Sequence, residues 1–120
     1  MPRVMAFLSC ILLASAAMAQ VVTANGTGVT LRVLDKLTGK VEDLQIVNGQ
    51  SATFGRITVT ANECRYPEGD AAGDAFASLT ITEVEKDTPV YQGWMIASSP
   101  ALNPMDHARY DVWVLRCTIS

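Results

Sequence analysis

Histidine occurs once, at His107, and the 120 residues hold only three cysteines, two tryptophans and three tyrosines. Each shortage closes off a chemistry. A zinc centre draws four ligands from Cys, His and carboxylate at regular spacing, which one histidine and scattered cysteines do not supply. There is no C-x-x-C pair for thiol redox work, no G-x-S-x-G elbow to present a serine nucleophile and no Gly-rich phosphate loop. Lys and Arg number 9 against 12 Asp and Glu, a net charge of −3. A clustered basic surface for nucleic acid or anionic lipid is missing as well. No cofactor, no metal and no nucleic-acid partner are expected.

Long apolar runs are also missing. Val4 to Ala14 is apolar apart from Ser9 and Cys10, follows Arg3, and gives way to Ala17-Met18-Ala19 before Gln20. A positive start, a short apolar core and an A-x-A pattern are the layout of a secretory signal peptide, here residues 1–19, cleaved after Ala19. The run falls short of the roughly 20 apolar residues that cross a bilayer, so no membrane span is expected after cleavage. The mature chain is expected in the periplasm. Cys10 leaves with the leader, and Cys64 and Cys117 remain. An even pair in an oxidising compartment reads as a disulfide. Closing a loop of that length is worth roughly 4 kcal/mol on the chain-entropy model.

What is present reads as strand. Val29, Leu31 and Val33 alternate with Thr30 and Arg32, the period of a half-buried strand. Val41 to Val47 is the hairpin partner across the turn that holds Gly39. Asn48-Gly49 is a strong short hairpin signal, leading into a strand around Gln50 to Phe54. Arg56 to Arg65, Phe76 to Val84, Thr88 to Ala97 and Tyr110 to Ile119 complete the set. Residues 20–28 carry Asn25-Gly26-Thr27-Gly28 and little to bury, and are expected as a loose arm. Tyr66 to Asp74 reads as an acidic loop. The segment between Ser98 and Arg109 holds Pro100 and Pro104, with room for one helical turn near Asn103. The expectation is an all-β domain over residues 29–120, a small β-sandwich or partly open barrel of six or seven short antiparallel strands with one disulfide.

Groups that could carry chemistry are sparse. Ser98 or Ser99, His107 and Asp106 could be assembled into a hydrolase, but adjacent Asp106 and His107 diverge on a strand or loop, so His107 is read as an ordinary loop residue. Glu68, Asp70 and Asp74 offer oxygen ligands without the spacing of a calcium loop. The unusual composition lies in Gly93 to Leu102 and Tyr110 to Val114, which hold both tryptophans. Tryptophan and tyrosine serve cores and binding hot spots alike. Trp113, between Val112 and Val114, is expected in the core, and Trp94 nearer the surface. The candidate interaction residues are Trp94, Met95, Ser98, Ser99, Pro100, Tyr110 and Trp113.

The same residues carry a resemblance. Gly93 to Leu102, Tyr110 to Val114 followed by Cys117, and Cys64-Arg65-Tyr66-Pro67 resemble a family of small exported Gram-negative bacterial proteins known only as a domain of unknown function. The likeness runs from Val29 to Cys117; Ile96 stands where an aromatic is expected. It implies an exported single domain with paired Cys64 and Cys117, and it supplies no activity. The resulting expectation is a non-enzymatic periplasmic domain that acts by protein contact, as an accessory subunit or chaperone-like factor of an envelope complex. A small-ligand or glycan module with Trp94, Trp113 and Tyr110 as stacking platform is the alternative.

Overall fold

A computed structural model describes residues 22–120. The leader expected at 1–19 lies outside the described residues. Eight strands follow in order: β1 Thr23–Asn25, β2 Gly28–Asp35, β3 Val41–Val47, β4 Ser51–Phe54, β5 Ile57–Pro67, β6 Phe76–Glu83, β7 Tyr91–Ile96 and β8 Tyr110–Thr118. They form two sheets and no closed barrel. The first runs β1-β5-β6-β7, with β4 also on β5, and the second runs β3-β2-β8. All pairings are antiparallel.

The alternation read from the sequence is the alternation between sheet faces. Val29, Leu31 and Val33 of β2 point inward with Leu44 and Ile46 of β3 and Val112 and Val114 of β8. They meet Val59 and Ala61 of β5, Ala77, Leu79 and Ile81 of β6, and Tyr91 and Met95 of β7, all buried. Burying one face of each sheet against the other is what makes two half-apolar sheets stable. Cys64 of β5 is disulfide-bonded to Cys117 of β8, Cα atoms 5.7 Å apart, so the bond ties one sheet to the other.

Three local expectations are corrected. Of the arm expected at 20–28, the described part, residues 22–28, is not loose: Thr23–Asn25 adds to the end of β5, and Gly26 N donates to Cys64 O while Thr27 N donates to Thr118 O. The chain thereby crosses between sheets beside the disulfide. Asn48-Gly49 turns the chain, with Gly49 at φ +85°, yet β3 and β4 do not pair. Turn chemistry sets only the reversal. Inward Ile46 and inward Phe54 belong to facing sheets, so the turn carries the chain across the core. Finally, no helical turn forms near Pro104; Asn103 sits at φ 54°, in the left-handed region.

Candidate functional site

The strand register decides which candidate side chains reach solvent. In antiparallel pairs, directly opposite residues share a face. On β7, Tyr91, Gly93 and Met95 face the core, opposite Ile81, Leu79 and Ala77. Gln92, Trp94 and Ile96 therefore face outward. Trp94 lies opposite Ser78, which lies opposite Glu63, and Ile96 lies opposite Phe76, which lies opposite Arg65. Trp94 is 42% exposed, while Phe76 and Ile96 are half-buried beside it. The result is an apolar layer on the outer face of the first sheet. Its polar border is fixed: Arg65 donates to Glu63 at 2.8 Å, Thr23 at 2.8 Å and Asn25 at 3.0 Å.

Not every candidate belongs to this surface. Met95 is 5% exposed and Tyr110 fully buried, so neither can present itself to a partner. Parity explains Met95, one residue out of phase with Trp94. Tyr110 is held from several sides: its hydroxyl accepts a hydrogen bond from Arg56 N at 2.9 Å, and Phe54 packs edge-on at 6.0 Å. Gly55, at φ +58°, leaves no room for a side chain against that hydroxyl. Trp113 is half-buried, opposite Arg32 on the outer face of the second sheet. It is therefore not core, contrary to expectation, because Val112 and Val114 take the inward positions. Trp94, Trp113 and Tyr110 thus lie on one outer face, the opposite outer face and the interior. They do not form one stacking platform.

Ser98, Ser99 and Pro100 fall in the connection after β7. Ser98 Oγ donates to Asp74 Oδ2 at 2.7 Å, and Asp74 Oδ1 accepts from Ser98 N and Ala75 N. Asp74 is thus a structural acceptor that joins two loops. His107 sits elsewhere. Its Nδ1 accepts from Arg109 N at 2.9 Å and Tyr110 N at 3.1 Å, and its Nε2 lies 3.3 Å from Glu83 Oε1. Acceptance at Nδ1 makes Nε2 the protonated nitrogen of the neutral ring, which donates to Glu83. With both nitrogens engaged, His107 pins the start of β8 to the end of β6. Glu83 is also held below the ordinary carboxylate range: burial pushes it up, and Lys86 and His107 together outweigh that.

Beside this pin lies an ion pair that strand patterning did not single out. Arg109 donates to both oxygens of Asp35, at 3.0 and 2.8 Å. Asp35 is 5% exposed and accepts further bonds from Leu37 N and Thr38 N. The Arg109 hydrogen bond, against the opposing effect of burial, holds its carboxyl well below the usual range. Among the described residues no group of three ligating side chains is gathered as for a metal ion, and no helix is long and apolar enough to cross a membrane. The layer of Phe76 and Ile96 around Trp94 was missed because it is built across strands. One signal was readable: Phe76 is a large apolar residue out of phase with Ala77, Leu79 and Ile81.

Comparison with known proteins places this geometry in context. The model of a family described as an uncharacterized protein conserved in bacteria, DUF2155, matches residues 29–117. Uncharacterized protein RP359 of Rickettsia prowazekii (strain Madrid E) is 29% identical over 96 residues, covering 78% of this chain and 62% of the relative. The chain therefore spans less than two thirds of that relative's length. No solved structure matches.

Proposed function

The chain belongs to the bacterial family DUF2155, whose description states no activity, and from its own residues we propose that it is an exported, periplasmic, non-enzymatic domain that works by protein contact. Its role is that of an accessory subunit or chaperone-like factor of an envelope complex, with the outer face around Trp94 as the contact surface. The observation that carries the reading is Trp94 at 42% exposure within an apolar layer. A large exposed ring on the edge strand, beside Phe76 and Ile96 and with the Glu63–Arg65 pair two strands away on the same face, has the composition of an interface hot spot. The A-x-A leader and the Cys64–Cys117 bond support export. Ser98 is bonded to Asp74 and both ring nitrogens of His107 are engaged by Glu83 and the Arg109 and Tyr110 backbone, which supports a non-enzymatic role, since no serine is paired with that histidine as its base.

The test is a photo-crosslinking amino acid placed at Trp94 and, as control, at Thr53 on the hydroxyl-rich part of the same face. Expression is in the native host with the leader intact. One discrete crosslinked envelope protein from position 94 and none from 53 is the expected result. Absence of any adduct at 94 in folded, exported protein sinks the reading.

A further inference from the structure

The two ends of β8 are tied to the first sheet by different means. Cys117, near its far end, is held covalently to Cys64 of β5. Tyr110, its first residue, follows a segment whose bonds divide between the sheets. On the β2 side, Arg109 binds both oxygens of Asp35, Lys36 N donates to Arg109 O at 2.7 Å, and Lys36 Nζ donates to His107 O at 2.7 Å. On the β6 side, among the described residues, the one side-chain hydrogen bond from this segment is that of the His107 ring to Glu83. The ring therefore stands between the sheets at the end that the disulfide leaves unsecured.

The acceptor at Nδ1 is what couples them. Arg109 N and Tyr110 N both donate to it, at 2.9 and 3.1 Å. A proton placed on Nδ1 turns the acceptor into a donor, because both nitrogens of an imidazolium carry hydrogen. It would point at two N–H groups, and neither bond survives. Nε2 keeps its role, donating to Glu83 in either state. Burial raises the Glu83 carboxyl, but Lys86 and His107 outweigh burial, so Glu83 is ionised wherever histidine takes up a proton. Around the ring stand Lys86 after β6, Asp106 and Arg109 on its own segment, Tyr110 with its ring centroid 5.3 Å away, and Asp35 and Lys36 at the end of β2. The cations Lys36, Lys86 and Arg109 each lie within 3.6 Å of a carboxylate, of Asp111, Glu83 and Asp35 respectively. No unpaired cation therefore opposes a charge on the ring. Solvent reaches it too: His107 shares the wall of an open cleft of about 560 Å³ with Glu83, Lys86 and Asp106.

We propose that His107 is a proton-operated latch between the two sheets. With the ring neutral, it holds the backbone of Arg109 and Tyr110 against β6. With the ring charged, it stays on Glu83 and lets that backbone go, so the start of β8 is held by β2 and by the Tyr110 hydroxyl on Arg56 N. The domain is thereby fastened covalently at one end and reversibly, by pH, at the other. The latch does not involve Trp94, so it and the contact surface can fail separately.

The experiment follows the exported, disulfide-bonded protein by NMR from about pH 8 to about pH 5, a window around the ordinary histidine value. Ring nitrogen shifts report the proton, and hydrogen exchange, corrected for its intrinsic pH dependence, reports each amide. The Arg109 and Tyr110 amides should lose about tenfold or more in protection as the ring charges, since each gives up its acceptor. Gly26 and Gly49, whose N–H groups donate to Cys64 O and Ala61 O, should keep theirs. His107→Gln, with no titrating ring, should leave both amides equally protected at either pH. Glu83→Gln should move the loss to lower pH, because the charged ring forfeits its carboxylate. Arg109 and Tyr110 amides that stay protected while the ring titrates, a ring still neutral at the acid end, or an unchanged pH dependence in His107→Gln overturn the proposal. So does an equal loss at Gly26 and Gly49, which is acid unfolding of the whole domain.

Discussion

At the scale of single residues, the polar groups that matter most are those that hold a strand in place. His107 accepts from two backbone N–H groups and reaches Glu83, with only 13% and 15% of the two side chains exposed. Replacing it by Ala strands the N–H groups of Arg109 and Tyr110 without their acceptor. Leaving buried donors unpaired costs about 1–3 kcal/mol, and His107→Ala should lower stability by that much in urea unfolding. A change below about 0.5 kcal/mol would return His107 to the status of an ordinary loop residue. The three rings once grouped together should separate as their surroundings do. Tyr110→Ala empties a fully buried site and should cost about 3–5 kcal/mol. Trp113→Ala removes a half-buried ring and should cost less, about 1–3 kcal/mol. Trp94→Ala should be the mildest of the three in thermal melts. Trp94→Ala as damaging as Tyr110→Ala would make that ring a core residue rather than a contact surface.

Among the elements, β1 and its junction to β2 show how little room a β-sandwich leaves where the chain crosses between sheets. A Cβ at Gly26 would stand 2.9 Å from Cys117 Cβ and 2.9 Å from Thr118 O. A Cβ at Gly28 would collide with the carbonyl oxygen of Ile46, on the neighbouring strand rather than a movable side chain. Gly28→Ala should therefore destabilise by about 1–3 kcal/mol, the usual cost of overpacking. Gly39→Ala is an informative control, because nothing lies within 4 Å of its Cβ position and only its φ of +78° opposes the change. Equal melting temperatures for Gly28→Ala and the unaltered domain would contradict the tight crossing. The same crossing explains the Asn48-Gly49 turn. Asn48 N donates to Thr27 O and its side-chain amide to Gly26 O, so the turn is anchored on the β1–β2 junction.

For the whole molecule, two devices close the sandwich at different places. The Cys64–Cys117 bond spans a sequence separation of 53 and joins the sheets. Reduction should cost about 2–5 kcal/mol, a large part of the 5–15 kcal/mol typical of a domain. A melting temperature unmoved by reductant, with free thiols verified, would refute this. The second device is the Asp35–Arg109 pair, a buried carboxylate held by a half-buried guanidinium, that joins the end of β2 to the start of β8. Asp35 ionises more readily when folded than at its ordinary value of 3.8. Its contribution is therefore complete above the ordinary carboxylate range and declines as pH falls below it toward the folded value. Stability should drop on acidification below about pH 4, and Asp35→Asn should flatten that part of the profile. A profile equally steep in Asp35→Asn would place the acid sensitivity in other carboxylates.

Strand type and face were legible wherever apolar and polar residues alternate, because burial of one face is encoded locally at a period of two residues. Val29, Leu31 and Val33 faced inward as their spacing implied, and Cys64 pairs with Cys117 as the count implied once Cys10 was assigned to the expected leader. Partner choice was not legible. Nothing in Ser51-Ala52-Thr53-Phe54 says that it pairs with β5 rather than β3, since a turn reverses the chain without assigning it a sheet. Short or Gly-rich segments such as Thr23–Asn25 bury too little to announce themselves, and become strands because a neighbour offers an edge. The candidate site divided in the same way. Trp94 stood out by composition, whereas its layer with Phe76 and Ile96 depends on β6–β7 register. The placement of Tyr110 inside and Trp113 outside depends on which face of β8 meets the opposing sheet. Local periodicity therefore determined the longer strands, and only the packing of the two sheets decided which rings they hide and which they present.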